Sequence, residues 1–385
     1  MEPPVYLDYN ATTPIDPDVL GAMMPFLTQD FGNPSSGYSL GVRAREGIDR
    51  ARKEVAGLLG CQPGEIVFTS GGSESNNMVL KGVVDFTDPQ KYQIITSAIE
   101  HPAILNPALF LMEQGVQVTI LPVDRFGQVN PEDVRKAISS RTVLITLMLA
   151  NNETGTLQPI REISDLARDH GVLFHTDAAQ AVGKIPVDIT DLGVDFLTVA
   201  GHKLYAPKGV GALYIRNGLS LTPLIHGAAQ EGGRRAGTEN LTLAAALGAA
   251  CRIAGERLLT DADRIGLLRD HLQDLLFKGI DGLVLNGHPE ERLPNTLNVS
   301  VPGIEGGKIL DAIPSVMAST GAACHDRTVK LSHVLSAMSI PPEIGMGALR
   351  LTLGRSTTME QIEGAARRII RQVTKMRSGR RVPAQ

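Results

Sequence analysis

Between residues 66 and 214, short β-branched runs alternate with amphipathic stretches of helical length, and few folds accommodate that order. The runs are Ile66–Thr69, Gln93–Thr96, Val116–Leu121, Val143–Met148, Val172–His175, Phe196–Val199 and Val210–Tyr214. Between them, Glu74–Val84, Pro102–Gln114, Pro131–Ser139 and Ile160–His170 carry apolar residues at helical spacing. Strands separated by helical crossovers build βαβ units. The pattern therefore predicts an α/β fold with a mainly parallel seven-stranded sheet and helices on both faces. Only ten residues join Phe196–Val199 to Val210–Tyr214. That is too few for a helical crossover and predicts one antiparallel pair there.

From Leu241 the texture changes. A long Ala/Leu/Arg-rich helix is predicted through Lys278, then strands at Thr296–Val301 and Leu349–Leu353, then a closing helix Met359–Met376. These read as a smaller α+β domain to which the N-terminal YLDYNATTP turn crosses over. The expected division is 14–260 for the large domain, with 1–13 and 261–385 forming the small one. A length of 385 residues accommodates both. The 43% hydrophobic content and net charge of −4 exclude a disordered chain and argue against a nucleic-acid binder. Cys61, Cys251 and Cys324 are odd in number and widely spaced, which fits neither a disulfide framework nor a CxxC metal site. A reducing, cytoplasmic setting without a bound metal is expected. No leader-like start and no apolar run of bilayer length is visible, so no membrane role is expected.

In open α/β sheets, ligands bind beyond the carboxyl ends of the strands, and here those ends are polar or glycine-rich. FTSGGSESNN offers Ser70, Gly71, Gly72 and Ser73 at a helix start, either as an anion cradle or as an ordinary cap. Glu100 and His101 end one strand, where a histidine can be structural or catalytic. Asn151, Asn152 and Glu153 end another, and the paired amides suit a planar polar ligand or a turn. Asp177 and Gln180 follow a third. His202 and Lys203 lie in a tight turn between apolar strands, where a lysine is either solvated or held as a reactive free amine. Taken together, an anion cradle, a carboxylate, a ring-facing histidine and an amine are what pyridoxal 5'-phosphate requires.

The motifs YLDYNATTP, FGNPSS, FTSGGSESNN, EHPAI, ANNETGT, HTDAAQAVGK, GHKLYAPKGVGALY, GGRRAGTEN, LPNTLNVS, STGAACH and LRLTLGRSTT resemble the class V pyridoxal-phosphate enzymes. Within that class they resemble the cysteine desulfurases of NifS/IscS type. The resemblance implies a type I PLP-dependent transferase fold arranged as a homodimer. It implies that Lys203 forms the imine, that His101 stacks on the ring and moves protons, and that Asp177 pairs with the pyridinium. Gln180 and Asn152 would contact the phenolic oxygen and substrate. Gly72, Ser73 and His202 would hold the phosphate, with Thr238 from the neighbouring subunit. Ala200 stands where many relatives carry a phosphate-binding serine. Arg350 would take the substrate carboxylate, and Cys324, on a loop of the small domain, would be the nucleophile.

The reaction so implied converts L-cysteine to L-alanine and leaves a persulfide on Cys324 for a sulfur-acceptor or Fe–S scaffold protein. GAACH and VAGHK also resemble selenocysteine lyases, which keeps L-selenocysteine open as a substrate. A non-catalytic scaffold for sulfur acceptors is the alternative from another class. His325, beside Cys324, is a candidate for lowering the thiol's pKa. Cys61 and Cys251 are expected to be inert packing residues.

Overall fold

The computed structural model describes residues 3–320 and 331–379. Its strands are β1 (Val5–Tyr6), β2 (Ile66–Thr69), β3 (Gln93–Ser97), β4 (Gln117–Leu121), β5 (Thr142–Met148) and β6 (Leu173–Asp177). They continue with β7 (Phe196–Ala200), β8 (Gly211–Ile215), β9 (Val284–Leu285), β10 (Thr296–Ser300), β11 (Val316–Met317) and β12 (Ala348–Thr352). Seven of them form one sheet in the order β2-β8-β7-β6-β5-β3-β4. Only β8 runs against its neighbours, pairing antiparallel with both β7 and β2. The expected α/β architecture and its antiparallel pair are both present.

Apart from edge strand β4, the sheet is buried on both faces, as parallel strands require. Side chains alternate across it. Ile66, Phe68, Ile145, Leu147, Leu197 and Val199 enter one apolar cluster. Val67, Leu144, Phe196 and Leu213 enter another on the opposite face. Helix Ile160–Asp169 buries Ile160, Ile163, Ser164 and Ala167, the spacing of a single helical face. Helix Ser39–Leu59, outside the predicted elements, lays a face of Gly41, Ala44, Gly47, Ile48 and Ala51 on the same side of the sheet. Its small residues admit helix Leu241–Gly279 closely. A Cβ on Gly248 would lie 2.7 Å from the Ala51 Cα.

A further cluster gathers Val5 and Leu7 with Ile265, Leu268, Leu297, Leu349, Leu351 and Ile369. It packs around the antiparallel sheet β12-β10-β9 and the parallel pair β1-β11. The Leu241–Gly279 helix is unbroken between the two regions. Ala244, Leu247 and Ala250 sit in the first cluster, and Ile265, Leu272 and Leu276 in this one.

At the carboxyl ends of the large sheet, β8 passes under the turn that follows β2. A Cβ on Gly211 would meet Val199 O at 2.6 Å and Gly71 Cα at 2.7 Å, so only glycine lets the two backbones approach. Gly211→Ala is expected to lower stability by about 1–3 kcal/mol through overpacking against backbone. Urea unfolding of the cofactor-free protein checks this; a wild-type midpoint would show that the contact is slack.

Candidate active site

Five strand ends open on one cavity of about 380 Å³. Gly72 and Ser73 reach it from the turn after β2, His101 from the end of β3, and Asn152 from the loop after β5. Asp177 and Gln180 come from the end of β6, and Ala200, His202 and Lys203 from the end of β7. Arg350, on β12, closes it from the other cluster.

One end of the cavity suits an anion. The helix starts at Gly72, two residues before the predicted Glu74, and its N-cap Gly71 has no side-chain cap. Gly71 adopts φ +146, a conformation that favours glycine. The first bond of the helix runs from Ser75 N to Gly71 O, which leaves the N–H groups of the first turn without intrahelical acceptors. Glu74 Oε2 takes the Ser70 N–H at 2.8 Å, and Gly72 and Ser73 face the cavity.

The carboxylate is rigidly held. Asp177 Oδ2 accepts from Asn76 Nδ2 at 2.7 Å, and Oδ1 accepts from Ala179 N at 3.0 Å. Beneath it, buried His175 spans β5 to β7 through Thr146 Oγ1 at 2.7 Å and Thr198 Oγ1 at 3.0 Å. Burial lowers that imidazole to about 3, so it stays neutral. His101 caps helix Pro102–Glu113, and its Nδ1 accepts from Ala103 N at 3.1 Å. It stands at the exposed mouth of the cavity, yet surrounding protein lowers its pKa, with Lys203 and His333 adding to the effect against the pull of Asp177. His202 Nδ1 lies 3.2 Å from Thr12 Oγ1, and burial with the nearby lysines lowers it to about 4.

Lys203 donates to the carbonyls of Asn10 at 2.5 Å and Ala11 at 2.6 Å. Burial first, then the Arg350 charge, lowers its amine to about 8, against the smaller opposing pull of Asp8 and Asp177. Arg350 donates from Nη2 to Asp8 Oδ1 at 2.9 Å and from Nη1 to Asn152 O at 3.3 Å. Its Nε is buried and has no partner among the described residues. An orphaned N–H on a planar cation beside the cavity is suited to a carboxylate ligand.

Three residues of this site escape the motif-by-motif sequence reading: Asn10, Asn76 and Asp8. Each lies in a quoted motif, but only the fold brings it to Lys203, Asp177 or Arg350. Of the two adjacent amides after β5, only Asn152 lines the cavity. Asn151 Oδ1 instead accepts from Glu153 N at 2.9 Å and Thr154 N at 3.0 Å, which builds the turn. Thr238 lies in a separate hollow with Ser70, Glu231 and Arg235. Cys324 and His325 fall outside the described residues. The flanking residues are placed: Ser319 O accepts from Arg350 N at 2.6 Å, and Ser332 Oγ donates to Glu153 Oε2 at 2.5 Å. Burial raises the thiols of Cys61, to about 12, and Cys251, as expected of unreactive packing residues.

The fold and cavity define a class. A sequence profile of the aminotransferase class-V family matches residues 5–364, and the chain belongs to that family. The chain is 46% identical to "Cysteine desulfurase IscS" of Dictyoglomus turgidum over 98% of its length and 96% of that protein. It is 45% identical to "Cysteine desulfurase IscS" of Methanosarcina thermophila, covering 97% and 93% of the two chains. A solved "NIFS-LIKE PROTEIN" superposes with a TM-score of 0.91 at 36% identity, over 97% of this chain and 100% of that one. "SspA in complex with cysteine" superposes at 0.80 and 35% identity, over 91% and 98%.

Two outcomes follow from the electrostatics. The Lys203 amine is protonated and unreactive below about 8 and neutral above it. In cofactor-free protein its labelling by an amine-directed reagent should therefore rise through that pH and level off, read by mass spectrometry of its peptide. Labelling that still climbs at the ordinary lysine pKa of about 10.4 would contradict the burial argument.

Glu100 is buried, and burial, with Asp177 adding, raises it to about 8. Its Oε1 accepts from Ser97 Oγ at 2.7 Å and from Met148 N at 3.0 Å. The folded state thus holds a proton that the unfolded state releases near pH 4.3, and stability falls as pH rises from there to about 8. Glu100→Gln should remove that fall. Melting curves of both proteins across the range test the sign.

Proposed function

We propose that this chain is a pyridoxal-phosphate-dependent cysteine desulfurase, converting L-cysteine to L-alanine and passing the sulfur on as a persulfide of Cys324. The observation that carries the reading is the meeting of Lys203, Asp177, His101, an uncapped helix N-terminus and Arg350 on one cavity. That relatives at 45–46% identity are named cysteine desulfurase supports reading cysteine, in preference to selenocysteine, as the substrate of this chain.

The residues present fit the cofactor. Gly72, Ser73 and His202 would hold its phosphate through backbone N–H groups, a hydroxyl and an imidazole. Asp177, locked by Asn76, would keep the pyridine nitrogen protonated. Gln180 and Asn152 would meet the phenolic oxygen and substrate. When bound, the cofactor withdraws electrons from the substrate Cα. Ala200 offers only a methyl group where a serine would add a bond.

The chain's own groups do the rest. Arg350 binds the substrate carboxylate with its remaining donors and so fixes where Cα lies. Lys203, its amine brought down to about 8 by burial and the Arg350 charge, would hold the cofactor covalently and, once released, would serve as a base at Cα. His101 moves protons at the mouth. The Cys324 thiolate attacks the substrate sulfur, and as the S–S bond forms the sulfur–Cβ bond breaks, its electron pair leaving with the substrate carbon, which takes up a proton on the way to alanine. The placed residues bracketing its segment support this role, since Ser319 bonds the Arg350 backbone and Ser332 bonds Glu153, next to Asn152.

We read the chain as a homodimer, with Thr238 serving the partner's cavity. The exposed apolar side chains Leu20, Met24, Leu27 and Phe31 near the N-terminus support a covered surface there. We place a domain boundary near residue 260, inside the Leu241–Gly279 helix; the two apolar clusters that this helix joins support it. The sulfur acceptor is proposed to be a protein of Fe–S or thio-cofactor assembly. No helix among the described residues is long and apolar enough to cross a membrane. The unpaired state of Cys61 and Cys251 supports a cytoplasmic place.

Incubation of the pure protein with L-cysteine should release alanine and add the mass of one sulfur to the Cys324 peptide. Cys324→Ala should keep the visible cofactor band and lose alanine formation from cysteine. Undiminished turnover by that variant would overturn the assignment of Cys324. Activity of that variant confined to L-selenocysteine would favour the lyase reading.

A further inference from the structure

Behind the cavity lies an amine that the proposed chemistry does not use. Lys184 follows the turn after β6 and lines a narrow cleft with Asn295, Asp261 and Arg355. Its Nζ donates to Gln180 Oε1 at 2.7 Å and to Asn10 Oδ1 at 3.2 Å, so both its acceptors are amide oxygens. A largely enclosed amine bonded to no carboxylate among the described residues is costly to place and calls for a reason.

The reason lies in the two faces of a primary amide. Gln180 can present either an oxygen or N–H donors to the cavity, and nothing in the amide itself prefers one. Its Nε2 donates to Asn10 O at 3.0 Å, which leaves one N–H over. Asn10 cannot turn, because its Nδ2 is committed to Thr296 Oγ1 at 2.9 Å and Asn152 O at 3.2 Å. Its Oδ1 therefore faces Lys184. Charged or neutral, the Lys184 amine has the two N–H groups needed for both oxygens.

We infer that Lys184 is a positioning residue which fixes the Gln180 amide so that an N–H donor, and not the carbonyl oxygen, faces the bound cofactor. This rests on Gln180 contacting the cofactor, as proposed above. The consequence is electrostatic. A donor aimed at the phenolic oxygen favours its anionic form and makes the proton shared between that oxygen and the Lys203 nitrogen easier to lose. Lys184 faces Lys203 and Arg350 on the cavity side, and burial with these two cations holds its amine well below the ordinary lysine range. On its other side Arg355 and Asp261 pair with each other at 3.1 Å. Lys203 is bordered by Asp8, Asp177, His101 and His202 as well; of these, His202 feels the Lys184 charge, as the smallest of the causes that lower it.

The test is the pH titration of the visible cofactor band in the holoenzyme. Lys184→Met should move the midpoint up by roughly one unit, and Lys184→Arg, which keeps N–H donors, should hold it near wild type. In a Gln180→Ala background, Lys184→Met should add little. Should Lys184→Met fail to fold, Gln180→Glu poses the same question by removing the donor, and its midpoint should also rise. A wild-type midpoint in Lys184→Met, or in Gln180→Glu, overturns the inference. So does an undiminished shift in the Gln180→Ala background, which would mean that Lys184 acts by charge alone. A wild-type protein with no pH-dependent band overturns the cofactor reading together with this one; a normal wild-type band with an unmoved variant overturns only the inference.

Discussion

The site is held together at one buried asparagine. Every polar atom of Asn10 is engaged: its N–H with Thr352 Oγ1, its carbonyl with Lys203 and Gln180, its Oδ1 with Lys184 and Asn295, and its Nδ2 with Asn152 and Thr296. These partners come from β10 and β12 of the smaller sheet, from the residue before β10, and from the loops after β5, β6 and β7. A buried polar group left unmade costs about 1–3 kcal/mol, so the network tolerates one arrangement of the N-terminal segment across the cavity mouth and few others. The amine of Lys203 and the guanidinium of Arg350 are thereby given fixed positions before any ligand arrives.

That order carries an electrostatic consequence. Cations and carboxylates are taken out of water together, with Asp8 against Arg350 and Asp177 against Asn76. Among the described residues Lys203 is bonded only to carbonyl oxygens, and burial wins over its acidic neighbours. A lysine with a carboxylate at hydrogen-bond distance would have kept its proton. The nearby carboxylates are instead tied to other partners, which leaves the amine free for covalent chemistry at a lower pH than an ordinary lysine allows.

Much of this was legible in the chain. The β5 run is apolar at nearly every position and can only be a strand buried on both faces. Ile160, Ile163 and Ala167 repeat as one helical face must. Lys203, Asp177 and His101 were readable because each sits in a short polar turn at the end of such a strand. Helix Ser39–Leu59 was less visible, because its inward face is largely glycine and alanine and carries little hydrophobic contrast. The helix after β2 starts at Gly72 rather than Glu74, since its glycine N-cap lacks the side chain that usually marks a helix start.

The order of apolar runs and turn residues by itself determined the fold class, the antiparallel pair at β8 and the roll of polar groups at the strand ends. These follow from local periodicity, which depends only on neighbours in the chain. Which of two adjacent asparagines turns inward, that Asp8 meets Arg350 across 342 positions, and that Lys184 grips Gln180 from behind were decided only in three dimensions. Hydrogen-bond partners of buried amides and charges are chosen by whatever acceptor the folded chain brings within reach, and linear spacing holds no record of that distance.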